Sequence, residues 1–170
     1  PDASVDEMIE HLEAIAEAIP LFGFYLQPAV GGRHLPYDFW RRFAGIENVV
    51  AIKMAPFDRY RTIDVVRGVA DSGRGDEIAL YTGNDDNIII DLLTEYPYDG
   101  LQIRGGLLGQ FAVWTKTAVD ILEEIKEVRA SDENIPQELL TRNVELTDAN
   151  AALFDPANAF AGSIAGIHEI

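Results

Sequence analysis

Cysteine is absent from the chain, so neither a disulfide framework nor a thiolate metal site can form. Histidine is scarce. His11, His34 and His168 lie far apart, without the H-x-x-H or H-E-x-x-H spacing that brings two imidazoles to one ion, and zinc is not expected. Basic residues are outnumbered, 13 against 29 acidic ones, for a formal charge of −16. Such a surface repels nucleic-acid phosphates and anionic membranes, and neither is expected as a partner. The glycines spell out no G-x-G-x-x-G and no P-loop; RGGLLG, residues 104–109, reads as a turn first and as a phosphate cradle at a helix start second. No stretch reaches the roughly 18 apolar residues of a membrane span. The opening PDASVDEMIE has neither the basic stretch nor the apolar run of a signal peptide. A cytoplasmic protein without a cofactor is the expectation.

What is present is apolar substance. The 170 residues are 48% hydrophobic and 9% aromatic, enough for one domain with a substantial core. Ser4 and Glu7 read as a capping box, and Val5, Met8, Ile9, Leu12, Ile15 and Ile19 follow at helical spacing up to Pro20. LFGFYL, residues 21–26, has the unbroken apolar character of a strand buried on both faces. A loop and a short helix, YDFWRRFAGI, lead to a second such strand, NVVAIKM. A helix over residues 58–69, a glycine-rich turn at 72–75 and the strand EIALYT at 77–82 repeat the cycle. The polar loop 83–87, the helix IIIDLLTEY, the short strand GLQIRG and the long helix FAVWTKTAVDILEEIKEVRA complete a fourth unit. Four alternations of strand and helix predict a parallel sheet with helical crossovers. Leu139, Leu140, Val144 and Leu146, then Ala152, Leu153, Phe160 and Ile164, predict further helices after Pro136.

Parallel sheets place their chemistry at the C-terminal ends of the strands. One residue there stands out. Lys53, one of only three lysines with Lys116 and Lys126, closes the otherwise apolar VVAIKMAP. Lysine is almost never buried without a partner. An ion pair with Asp85 or Asp86 on the neighbouring loop would explain it, as would attachment of pyridoxal phosphate. A third explanation is a desolvated, neutral amine that attacks a carbonyl and forms a Schiff base.

The same segments carry a family likeness. GFYLQP resembles the Y-x-x-P signature at the fifth strand of the dihydrodipicolinate synthase and N-acetylneuraminate lyase family, and VVAIKMAP resembles its Schiff-base strand. Lys53 follows Tyr25 by 28 positions, similar to the family's spacing. TGNDDN is similar to the family's glycine-acid turn after the seventh strand, and GLQIRGG resembles the eighth. The likeness covers residues 20–109. It implies a (β/α)8 TIM barrel, of which residues 1–130 would be the second half, with residues 131–170 a helical extension that is cut short. It further implies a lyase, aldolase or dehydratase acting on a 2-keto acid, with Lys53 as the imine-forming lysine and the Tyr25 hydroxyl relaying protons. Gly83, Asp85, Asp86, Arg104 and Arg33 are the substrate-binding candidates. Asp85 and Asp86 match positions at which the sialate-lyase branch holds sugar hydroxyls; capping the next helix is an equal alternative.

Departures narrow the implied chemistry. The family's synthases have an arginine five residues after the tyrosine where this chain has Val30, with Arg33 three further on; Leu26 replaces the usual asparagine, and APFDRYR replaces a small, hydroxyl-rich stretch. The Thr-Thr turn that holds the keto-acid carboxylate in the family has no counterpart. The expectations are therefore a barrel fragment, inactive alone, that forms a homo-oligomer. A phosphate- or pyridoxal-using barrel and a non-catalytic binding module are the other readings.

Overall fold

The structure, a computed structural model, describes residues 3–131 and 134–170. The capping box is in place: the Glu7 amide donates to the Ser4 hydroxyl at 3.2 Å and the Ser4 amide to the Glu7 carboxylate at 2.7 Å, opening helix α1 (Val5–Ala16). The helix ends three residues before Ile19. The residue preceding a proline is driven out of the helical region, and the chain turns through Ala18 and Ile19 into strand β1 (Leu21–Leu26).

Helix α2 (Tyr37–Ala44) and strand β2 (Val49–Ala55) follow, then helix α3 (Arg59–Asp71) and strand β3 (Ala79–Thr82), then helix α4 (Ile88–Leu93) and strand β4 (Gly105–Gly106). The Arg74 guanidinium donates to the carbonyls of Ala44, Ile46, Glu47 and Val49, which fixes the turn that feeds β2. Helix α4 and strand β4 are cut back furthest from the sequence expectation. Helix α4 stops before Thr94, ahead of Pro97. In β4 the first half of GLQIRG is diverted: Gly100 takes the left-handed conformation at φ 65°, and Gln102 pairs antiparallel with Glu95 in an isolated bridge. Only the two glycines are left for the ladder beside β3.

The strands lie in the order β1-β2-β3-β4, all parallel, as the alternating pattern predicts. The sheet is open, and these four strands close no barrel. One face lies under α2, α3 and α4 and holds the core, with Tyr25, Ile52, Met54 and Leu80 almost fully buried. Trp40 of α2 sits at the centre of this layer, against Tyr25, Phe39 and Phe43. The other face carries Phe22, Phe24, Lys53 and Tyr81. Phe22 and Phe24 keep 50% and 48% of their surface exposed, so this face is only partly covered.

Its cover comes from the C-terminal part of the chain. Helix α5 (Phe111–Ala130) packs on α4; helix α6 (Gln137–Phe154) packs on both α4 and helix α7 (Ser163–Glu169). The Asn143 side-chain oxygen accepts the amides of Ile89 and Ile90 and so caps α4 from another element. Thr147 and Asn150 donate to the carbonyls of Asp86 and Asp85, each at 2.9 Å. Helix α6 thus holds the loop between β3 and α4 in place. No helix among the described residues is long and apolar enough to cross a membrane.

Candidate active site

Parallel strands in register set equivalent residues side by side on one face. Phe24 pairs with Lys53 and Lys53 with Tyr81, so Lys53 stands between two rings on the partly open face. Its ammonium nitrogen lies 4.4 Å from the centroid of Phe24. The lysine stem runs over Gly83: a Cβ there would come within 2.7 Å of Lys53 Cε and 2.9 Å of Ala55 Cβ. Glycine at this position is therefore a steric requirement of the lysine, and the Gly83 amide donates to the Met54 carbonyl at 2.6 Å to lock the approach.

The amine projects into a cavity of about 270 Å³ at the C-terminal end of the strands. Phe24 and Leu26 form its floor, Phe154 and Phe160 its roof, and Lys53 and Asp85 are the two ionisable groups in its wall. Lys53 makes no hydrogen bond and no ion pair with any described residue. Desolvation lowers its pKa, opposed by the charge of Asp85. Asp85 is the counterpart. Burial pushes its carboxyl up to about 6, Asp86 adds to the rise, and Lys53 and the Gly109 amide oppose it. Asp85 Oδ1 is buried and has no hydrogen-bond partner. A half-buried amine and a half-buried acid thus line one cavity with no hydrogen bond or ion pair between them.

No family model matches the sequence, and no curated protein matches it.

The candidates from the sequence do not all meet. Lys53, Gly83 and Asp85 meet in the cavity. Asp86 is exposed and lies next door, in the wall of a smaller recess of about 90 Å³ under α6. Tyr25, Arg33 and Arg104 are elsewhere. Arg33 donates to the Ala3 carbonyl and reaches the Met8 sulfur, so it ties the loop after β1 to the start of α1. Arg104 is exposed beside Lys126 and Arg129 of α5, outside the cavity.

Tyr25 requires a correction. The expected proton relay faces the helix layer, on the side of the sheet opposite Lys53. Its hydroxyl donates to the Leu35 carbonyl at 3.1 Å, accepts the Leu35 amide at 3.2 Å and lies 3.5 Å from Arg61 Nη1. The cause is a one-residue irregularity. Leu21 pairs with Val49, a register that would carry Tyr25 onto Lys53. The pairing then shifts, so that Phe22 meets Ala51 and Tyr25 meets Met54, and the unmatched Val50 is left 46% exposed. Because side chains alternate with period two, a slip of one residue moves every later side chain to the other face.

Sequence reasoning also missed the polar cluster behind the Asp85 loop. Asp91 is buried in α4 and accepts from Thr82 Oγ1 at 2.6 Å, Asn84 Nδ2 at 3.1 Å, Asn87 Nδ2 at 3.2 Å and from Arg59. Asn84 in turn donates to Thr62 and accepts the Phe57 amide. The clue was an acid flanked by Ile88, Ile89, Leu92 and Leu93 in the helix pattern. The roof residues Phe154 and Phe160 left no clue beyond ordinary helical periodicity.

Proposed function

We propose that the protein is a Schiff-base-forming lyase, aldolase or dehydratase that binds a 2-keto acid through Lys53. The observation that carries this reading is the Lys53 amine itself, half-buried, without a hydrogen bond or ion pair, and lining a largely apolar cavity at the C-terminal end of a parallel sheet. Partial desolvation works against the ammonium and favours the neutral, nucleophilic amine, with the Phe24 ring and the charge of Asp85 as the opposing influences. The likeness of VVAIKMAP and TGNDDN to the dihydrodipicolinate synthase and N-acetylneuraminate lyase family supports the same chemistry.

The fold proposal follows. Four consecutive parallel strands in sequence order, with the crossover helices α2, α3 and α4 on one face, are the arrangement of a (β/α)8 barrel segment. In this proposal the face bearing Phe22, Phe24 and Lys53 is the barrel interior.

The test is reductive trapping. The chain is incubated with pyruvate and borohydride and its peptides are weighed by mass spectrometry. The expected result is a reduced pyruvate adduct on Lys53, ahead of the exposed Lys116 and Lys126. Adduct on those two alone, or on none of the three, overturns the assignment.

A further inference from the structure

With Tyr25 turned to the helix layer, the amine is left without the expected proton donor. Imine formation needs one, since the carbonyl oxygen must leave as water. Among the described residues Asp85 is the other ionisable group that lines the cavity. Its position is built: Asn150 holds its carbonyl, the network of Asn84 and Asp91 braces the loop from behind, and its Oδ1 is buried with no partner. A buried carboxyl oxygen without a hydrogen-bond partner is rare in a folded protein and is one of the marks of a catalytic position.

We propose that Asp85 is the catalytic acid–base group of Lys53, carrying protons between the amine nitrogen and the carbonyl oxygen of the substrate. The inference rests on the Schiff-base reading above. Neutral Lys53 attacks the carbonyl carbon, a C–N bond forms, and the C=O π pair moves to oxygen, which takes the proton of Asp85. The carboxylate then removes one proton from the nitrogen, giving the carbinolamine and the acid again. The acid donates to the hydroxyl, the C–O bond breaks, water departs, and the cationic imine stands beside the Asp85 anion. One carbonyl, one amine and one carboxylic acid have become one iminium, one carboxylate and one water.

The working form of the pair holds one proton between the two groups. Asp85 is pushed up to about 6 and Lys53 is lowered. The charged groups that bear on them are Asp86 next in the loop and each other; the roof from α6, α7 and the turn between them presents Phe154, Phe160, Ser163 and Ile167, which are uncharged at any pH used. Adduct formation on Lys53 should therefore fall as pH drops below about 6, where both groups are protonated.

Asp85→Asn distinguishes this role from simple electrostatics by sign. Removing a carboxylate that raises the pKa of Lys53 lowers that pKa further, which by itself frees more neutral amine and speeds attack. An acid–base role predicts the reverse. The experiment follows adduct formation from pyruvate and cyanoborohydride on Lys53, with exposed Lys116 and Lys126 in the same chain as the uncatalysed reference, for wild type, Asp85→Asn and Asp85→Glu. The expected result is a loss of about 10² or more in the Lys53 rate for Asp85→Asn, with the limb near pH 6 abolished, and partial recovery in Asp85→Glu. Lys53 labelling in Asp85→Asn as fast as or faster than wild type overturns the role of Asp85 and leaves the Schiff base standing. No Lys53 adduct in wild type overturns the Schiff-base reading, and this inference with it.

Discussion

Asp85 is held with a protonation equilibrium unlike that of the unfolded chain, and its stability can be read from pH. Burial lifts the folded carboxyl to about 6 from 3.8. The folded state therefore binds the proton more tightly than the unfolded state, and the contribution of this group is full below pH 3.8 and lost as pH rises through 6. The loss is on the order of 2 kcal/mol for a shift of this size in a partly buried group. Asp85→Asn should accordingly unfold at higher denaturant than wild type at pH 7 and at nearly the same denaturant at pH 4. An equal difference at both pH values would mean that the loop tolerates the ionised acid without cost. Tyr25 gives the complementary prediction. Tyr25→Phe removes two hydrogen bonds to the Leu35 backbone from a buried position. It should cost about 1 kcal/mol of stability, measured by denaturant unfolding, while the trapping rate at Lys53 stays unchanged. A slower trapping rate would bring the phenol back into the chemistry.

At the level of elements, legibility in the sequence tracks how much each signal depends on register. The strands at residues 21–26 and near Lys53 were readable because buried parallel strands are unbroken apolar runs. Lys53 was readable because a charge interrupts one of them, and Gly83 because it opens a polar loop straight after a strand. The same unbroken character hid the face on which Tyr25 lies. A strand apolar on both sides carries no alternation, so nothing in LFGFYL or NVVAIKM announces the unmatched Val50, and one residue of slip decided the outcome. Strand β4 was overread for a related reason. Its apolar residues Leu101 and Ile103 are buried as expected, but by a turn through Gly100 and only two ladder residues. The contacts that fix the cavity loop, from Asn143, Thr147 and Asn150 of α6 to residues more than fifty positions earlier, are long-range polar pairings with no local pattern to reveal them. The Asp91 network belongs to the same class, although its acid in an apolar helix face announced that a partner had to exist.

At the scale of the whole molecule two opposed features set the behaviour. The sheet face bearing Phe22 and Phe24 is half exposed, and β1 is an edge strand with one side of its backbone unpaired. Both invite association with another copy. Against this stands the formal charge of −16 on every copy, whose repulsion reaches over roughly 30 Å at 0.01 M salt and about 10 Å at 0.1 M. Apolar contact acts at short range and is not screened, so salt should favour the contact. The expected outcome is that light scattering reports masses above the 18.8 kDa of one chain, rising between 0.01 M and 0.15 M salt. Phe22→Lys should shift the population toward monomer, because it places a charge on the exposed face at the edge strand and leaves the Lys53 cavity intact; Phe22 stacks on Tyr81 and does not line that cavity. A stable monomer at both salt concentrations would mean that the open face is satisfied by water and the C-terminal helices alone. Association that weakens with salt would mean that charged rather than apolar surfaces meet.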